Sequence, residues 1–182
     1  MDISKINSKI LGSIPANVWK YISVFILSVV ILTISFNIFQ DMYTAIFLEP
    51  VSKLSFYILK FSGLPVEFDG SALPFGICDL VLPHQILRIN FGCTGLFVLF
   101  IFIAGVIAFP ADIRHKLKGL AFGIPAFAVY SVLRLVIMGF VGNWLPEYLE
   151  IIHNYLMVLI NIAFVLWLYT TWIKYASGKD QK

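Results

Sequence analysis

Four long apolar runs decide most of what this chain can fold into: Trp19–Phe39, Cys93–Phe109, Gly119–Gly142 and Ile151–Ile173. Roughly 20 apolar residues are needed to cross the hydrocarbon layer of a bilayer, and all four meet that length or come close. Composition agrees. The 182 residues are 60% hydrophobic and 13% charged, with a mean hydropathy of +0.91, whereas a soluble domain is about half apolar and a quarter charged. The chain reads as an all-α polytopic membrane protein with about four transmembrane helices. A net charge of +3 gives no ground for a nucleic-acid partner. The first run starts too far in and runs too long for a removable leader, and no small-residue cleavage pattern follows it.

A fifth stretch, Met42–Phe61, carries Glu49, Lys53 and Lys60 around Pro50. Charges at the bilayer centre cost roughly 2.5–3.5 kcal/mol each on insertion scales, so residues 42–61 are expected to lie in the interface as an amphipathic helix. The basic residues set the orientation. Lys5, Lys9 and Lys20 precede the first run, Arg114, Lys116 and Lys118 sit between the second and third, and Lys174, Lys179 and Lys182 follow the last. Placing these in the cytoplasm leaves mainly acidic residues outside and puts both termini inside. The expected organisation is one membrane domain over 1–182, with a cytoplasmic N-terminal segment (1–18), the interfacial helix (42–61), an extracytoplasmic β-hairpin (65–91) and a helical core (93–173). The turn signals for the hairpin are Asp69–Gly70 and Pro74–Gly76.

In that orientation a cysteine, an arginine and a histidine from three helices share the outer third of the membrane. Cys93 lies between Gly92 and Gly95, which leave the sulfur open, and it falls in what reads as the first turn of a span, where unpaired amides favour thiolate. Thr94 is a nearby hydroxyl. Arg134 is the one charge in VYSVLRLVIMGFVG, about eight residues and roughly 12 Å below the outer end. An ionisable residue at such a depth is a functional-site hypothesis by default. His153 opens the last run with an ordinary pKa suited to proton transfer. Glu150, one turn earlier, is placed to orient its ring. His84 is the rival base, and His115 belongs to the cytoplasmic loop. A thiolate nucleophile, an acid/base and a fixed cation together suit acyl transfer through a thioester. No ligand spacing for a metal is present, and no cofactor is expected.

Other readings of the same residues stay open. Cys93 as a small apolar residue and Arg134 as an interhelical tether would describe a non-enzymatic assembly factor or a small transporter subunit. Cys78 and Cys93 both fall on the outer side, where a disulfide or a thiol–disulfide relay is permitted.

The ordered set resembles a known family. Gly-Cys-Thr-Gly at Gly92–Gly95 opening an apolar run, the basic turn Pro110–Lys118, the arginine in Leu133–Leu135 and the histidine at 153 together resemble the exosortase and archaeosortase signature, over roughly Val66–Trp172. Many members carry Asn three residues before the arginine. This chain has Ser131. The resemblance implies a membrane-embedded cysteine transpeptidase or protease of the cell membrane, its site facing outward. Its partners would be membrane-tethered secreted proteins with a C-terminal sorting signal, and the acceptor an amine on a lipid or envelope glycan. Cys93, Arg134 and His153 take the catalytic positions, supported by Gly92, Thr94, Gly95, Ser131 and Glu150.

Overall fold

The run from Trp19 has no water to bond its backbone, so it must close its own hydrogen bonds as a helix. In the computed structural model, which describes residues 16–178, it forms α1, Ala16–Ile38. Ile26, Leu27, Ile31 and Ile34 lie exposed on its surface, as lipid-facing residues do. The Lys5, Lys9, Lys179 and Lys182 part of the charge argument, and most of segment 1–18, fall outside the described residues. A short turn (Gln40–Tyr43) and a wide π turn (Thr44–Leu48) lead into α2, Glu49–Phe61. Pro50 sits in the first turn of α2, where a missing N–H costs nothing. Val51, Ser52, Ser55 and Leu59 are buried while Leu54, Tyr57 and Phe61 are exposed, so α2 is amphipathic.

An antiparallel sheet follows in the order β1 (Glu67–Asp69), β2 (Ile77–Val81), β3 (Ile86–Asn90). The register pairs Cys78 with Ile89, Asp79 with Arg88 and Leu80 with Leu87. Cys78, Leu80, Leu87 and Ile89 face the core, and the outward Arg88 holds Asp79 through Nε and Nη2, each at 3.1 Å. The sequence implies a hairpin, and the structure has three strands. Both turn signals fall between β1 and β2, where Ser71 N donates to Asp69 Oδ1 at 2.9 Å and Gly76 takes φ +70°. The β2–β3 hairpin closes instead at Leu82–Gln85, with Leu82 N donating to Gln85 O at 2.9 Å.

Three further helices complete the bundle: α3 (Leu96–Ala108), α4 (Ile113–Trp144) and α5 (Met157–Ser177). Together with α1, α4 and the continuous helical stretch Pro146–Ser177 are long and apolar enough to cross a membrane, and α3 is a shorter apolar helix. The molecule is thus mostly helical with a small sheet. Its core runs from the inner face of the sheet through Phe102, Phe127, Leu135 and Met138 to Leu168. Gly105, Gly123 and Gly139 meet Tyr169, Phe102 and Leu59 respectively, so these glycines bring the chain's own helices together.

Candidate active site

The Cys93 turn is built by its own side chains. Asn90 ends β3 in extended conformation, and its Oδ1 accepts from Cys93 N at 3.1 Å. That cap starts a single helical turn, Phe91–Thr94. Gly95 then takes φ +76°, a left-handed conformation that other residues adopt at a cost, and α3 begins only at Leu96. The sequence reading of Cys93 as the first turn of a span is corrected accordingly. A one-turn helix has almost no macrodipole, so stabilisation of a thiolate must come from neighbouring side chains. Thr94 also differs from expectation. Its hydroxyl is fully buried and donates back to Phe91 O at 2.9 Å, so it braces the turn and does not serve the sulfur.

Ser131, on α4, fastens this turn to the bundle. Its buried Oγ lies 2.6 Å from Thr94 O and 2.9 Å from Phe127 O, with one proton to share between them. Three residues further along the same helix, the Arg134 side chain is only 4% exposed, and its Nε and Nη1 are buried without a hydrogen-bond partner.

His153 arrives from the opposite side in a π turn, Ile152–Leu156, ahead of α5. Such wide turns in helices are frequent at functional sites because they re-aim a side chain. The ring's Nδ1 pairs with Asn154 Oδ1 at 3.2 Å. Glu150 lines the same cleft, but the polar group set against the ring is Asn154. Cys93 and His153 face one another across a cleft of about 300 Å³ that Arg88, Met138, Glu150 and Asn154 also line. The imidazole and the Arg134 charge both act electrostatically on the thiol. The thiol additionally lies 3.8 Å from Arg88 O. Thus the three residues picked from separate helices converge, with cysteine and histidine at the surface of the cleft and arginine below.

The remaining candidates fall elsewhere. Cys78 is fully buried in β2, and both cysteines are free. Burial pushes the Cys78 thiol above its ordinary value, with the neighbouring Ser52 hydroxyl acting the other way. A thiol so placed is a packing residue, which removes the disulfide and weighs against a relay. His84 is exposed in the β2–β3 turn and does not line the cleft. His115 packs on Tyr175, with ring centroids 5.8 Å apart. Sequence reasoning passed over Asn161 of α5. It is 6% exposed, and its Oδ1 is buried without a partner. An amide alone in the apolar run MVLINIAFVLWLY was a visible signal, since polar groups inside membrane helices are costly.

A family model of transmembrane exosortases matches residues 10–173. The chain belongs to the transmembrane exosortase family. No curated protein and no solved structure matches it. Membership makes this exosortase a membrane protein of a transpeptidase-type enzyme family that processes C-terminal sorting signals on substrate proteins.

Proposed function

We propose that this exosortase cleaves membrane-tethered secreted proteins at their C-terminal sorting signal through a Cys93 thioester. The Cys93 thiolate attacks the scissile carbonyl carbon, and Arg134 stabilises the oxyanion that forms. His153 gives a proton to the departing amine as the C–N bond breaks, then takes one from the incoming nucleophile as the thioester is resolved. Aminolysis by an amine on a lipid or envelope glycan anchors the product, and hydrolysis releases it. Neither route needs a metal or cofactor.

The single observation that carries this reading is the meeting of Cys93 and His153 across one cleft above the buried Arg134. Helix length supports an intramembrane position. The 13 residues of α3 extend about 20 Å at 1.5 Å per residue, about 10 Å short of a hydrocarbon layer near 30 Å. With Pro110–Lys118 at the cytoplasmic boundary, the Cys93 turn lies below the outer boundary, at the depth counted for Arg134. The substrate's own membrane helix brings its motif to that height by lateral entry. Residues 1–182 then act as one membrane unit in the cell membrane, with both termini cytoplasmic and the cleft facing outward.

The decisive experiment is Cys93→Ala in cells carrying a tagged substrate. Loss of processing with normal enzyme abundance is expected. Unchanged processing would refute the reading in favour of an assembly factor or transporter subunit. Labelling with a membrane-impermeant maleimide tests orientation separately: modification of Cys93 from the outside is expected, and modification only after permeabilisation contradicts it.

A further inference from the structure

Beneath the cleft, three buried polar side chains stand without partners: Tyr130 Oη, Arg134 Nε and Nη1, and Asn161 Oδ1. Their positions are set by one aromatic stack. Tyr130 of α4 lies flat on Phe164 of α5, with centroids 4.2 Å apart and planes 8° from parallel. From that level the chain rises four residues along α4 to Arg134 and steps back three along the antiparallel α5 to Asn161. At 1.5 Å per residue these are climbs of about 6 and about 4.5 Å, so both side chains reach one level. The third element at that level is Gly95. A β-carbon there would stand 3.4 Å from Asn161 Oδ1 and 3.8 Å from Arg134 Nη1. The acceptor and the donor therefore border the same small space, which glycine leaves open.

We infer that Asn161 is a positioning residue for Arg134: its side-chain carbonyl accepts from Nη1 through one bridging water in the space beside Gly95 and aims the guanidinium at the Cys93 site. This rests on the acyl-transfer reading above. An unpaired donor and an unpaired acceptor in an apolar interior each pay their full desolvation cost, so pairing them removes two penalties together. The choice of an amide has a chemical reason. An aspartate at 161 would also accept from the guanidinium, but its charge would cancel the positive field that an oxyanion requires. A neutral acceptor fixes the group's direction and leaves its charge intact. Tyr130, one turn below Arg134 on the same helix, carries another buried hydroxyl without a partner.

The test needs no substrate. Full-length protein carrying Cys78→Ser, in phosphatidylcholine–phosphatidylglycerol nanodiscs, is alkylated with iodoacetamide, and the rate at Cys93 is followed against pH. The charged or titratable groups facing that thiol are Arg134 from α4, His153 and Glu150 from the α5 side, and Arg88 from β3. Arg134→Gln is expected to move the profile to higher pH and slow alkylation near neutrality about tenfold, the loss of thiolate that follows when a thiol titrates about one pH unit higher. Asn161→Asp should move it in the same direction although an acceptor is retained, which a purely structural amide would not predict. Asn161→Leu should do so too, and Arg134→Gln/Asn161→Leu should be no slower than Arg134→Gln alone. Wild-type profiles in both Asn161 variants beside a shifted Arg134→Gln would overturn the inference and leave the proposed function standing. Additive losses in the double variant would do the same. A wild-type profile in Arg134→Gln itself would overturn the inference, since the guanidinium would then not be aimed at the thiol, and the proposed function would still be decided by Cys93→Ala. If Asn161→Asp does not fold, Asn161→Leu, which replaces a buried amide by an apolar isostere, carries the comparison.

Discussion

Ser131 offers the sharpest stability test, because one hydroxyl ties the Cys93 turn to α4. Ser131→Ala removes the donor 2.6 Å from Thr94 O at a site where both residues are fully buried. In a soluble core, leaving such a carbonyl unpaired costs about 1–3 kcal/mol. Within a membrane the reference state also finds partners, and measured side-chain bonds between helices average about 0.6 kcal/mol with a maximum near 1.7. Phe127 O loses little, since it lies in the interior of α4, where its own helix supplies a donor. The expected loss is therefore about 1 kcal/mol, a several-fold change in the folded ratio. Reversible unfolding in mixed micelles would measure it, with Cys93 alkylation in the Cys78→Ser background reporting the turn. A Ser131→Ala protein as stable as the parent, with unchanged alkylation, would show that the Ser131–Thr94 bond does not hold the turn.

Four other outcomes are expected. Cys78→Ser should keep processing activity, because Cys78 faces the core of the sheet; loss as complete as in Cys93→Ser would revive the relay. Arg134→Lys should lower single-turnover cleavage about 10²-fold or more, the scale for losing a positioned oxyanion donor, and a rate within threefold of the parent would remove Arg134 from that role. Arg88→Ala should leave stability nearly unchanged, since Arg88 is exposed and its pair with Asp79 is screened by solvent; a clear loss by chemical denaturation would contradict that. Gly95→Ala should destabilise by about 1 kcal/mol or more through its left-handed φ alone, and an unchanged melting temperature would mean the turn relaxes to a different path.

The spans were legible because apolar runs interrupted by charge leave few alternatives in a bilayer. Gly119–Gly142 anticipates the middle of α4, and the helix continues to Ile113 at one end and Trp144 at the other. Hydropathy falls at Arg114, Lys116 and Lys118, but a helix passes through the interface without needing apolar side chains. Cys93, Arg134 and His153 stood out as reactive or charged groups in apolar surroundings, and their convergence followed from counting residues along opposed helices. The break at Gly95 was hidden, since a glycine in an apolar run reads equally as packing or as a stop. The partners of Ser131 and Asn154 were hidden for another reason. A hydroxyl or amide has several acceptors within reach, and only the packed tertiary structure selects one. The first strand was missed because three residues, Glu67–Asp69, carry too short an alternation to register as a period.

The break and the site have one cause. An unbroken helix through the outer half of the membrane would bond every backbone group to itself and leave nothing open. Ending α3 early frees amides and carbonyls, and at the membrane depth proposed for this turn irregular backbone persists only if protein satisfies it or it lines a cavity. Both conditions hold here. Asn90 takes Cys93 N, Thr94 takes Phe91 O and Ser131 takes Thr94 O, which accounts for three polar side chains in otherwise apolar surroundings. Among the groups that face the cleft or lie just under it are the thiol, the imidazole and the guanidinium. The polar residues of this layer thus divide into those that maintain the interruption and those that the interruption exposes. Losing a member of the first set should loosen the turn, whereas losing a member of the second should leave it folded and chemically silent.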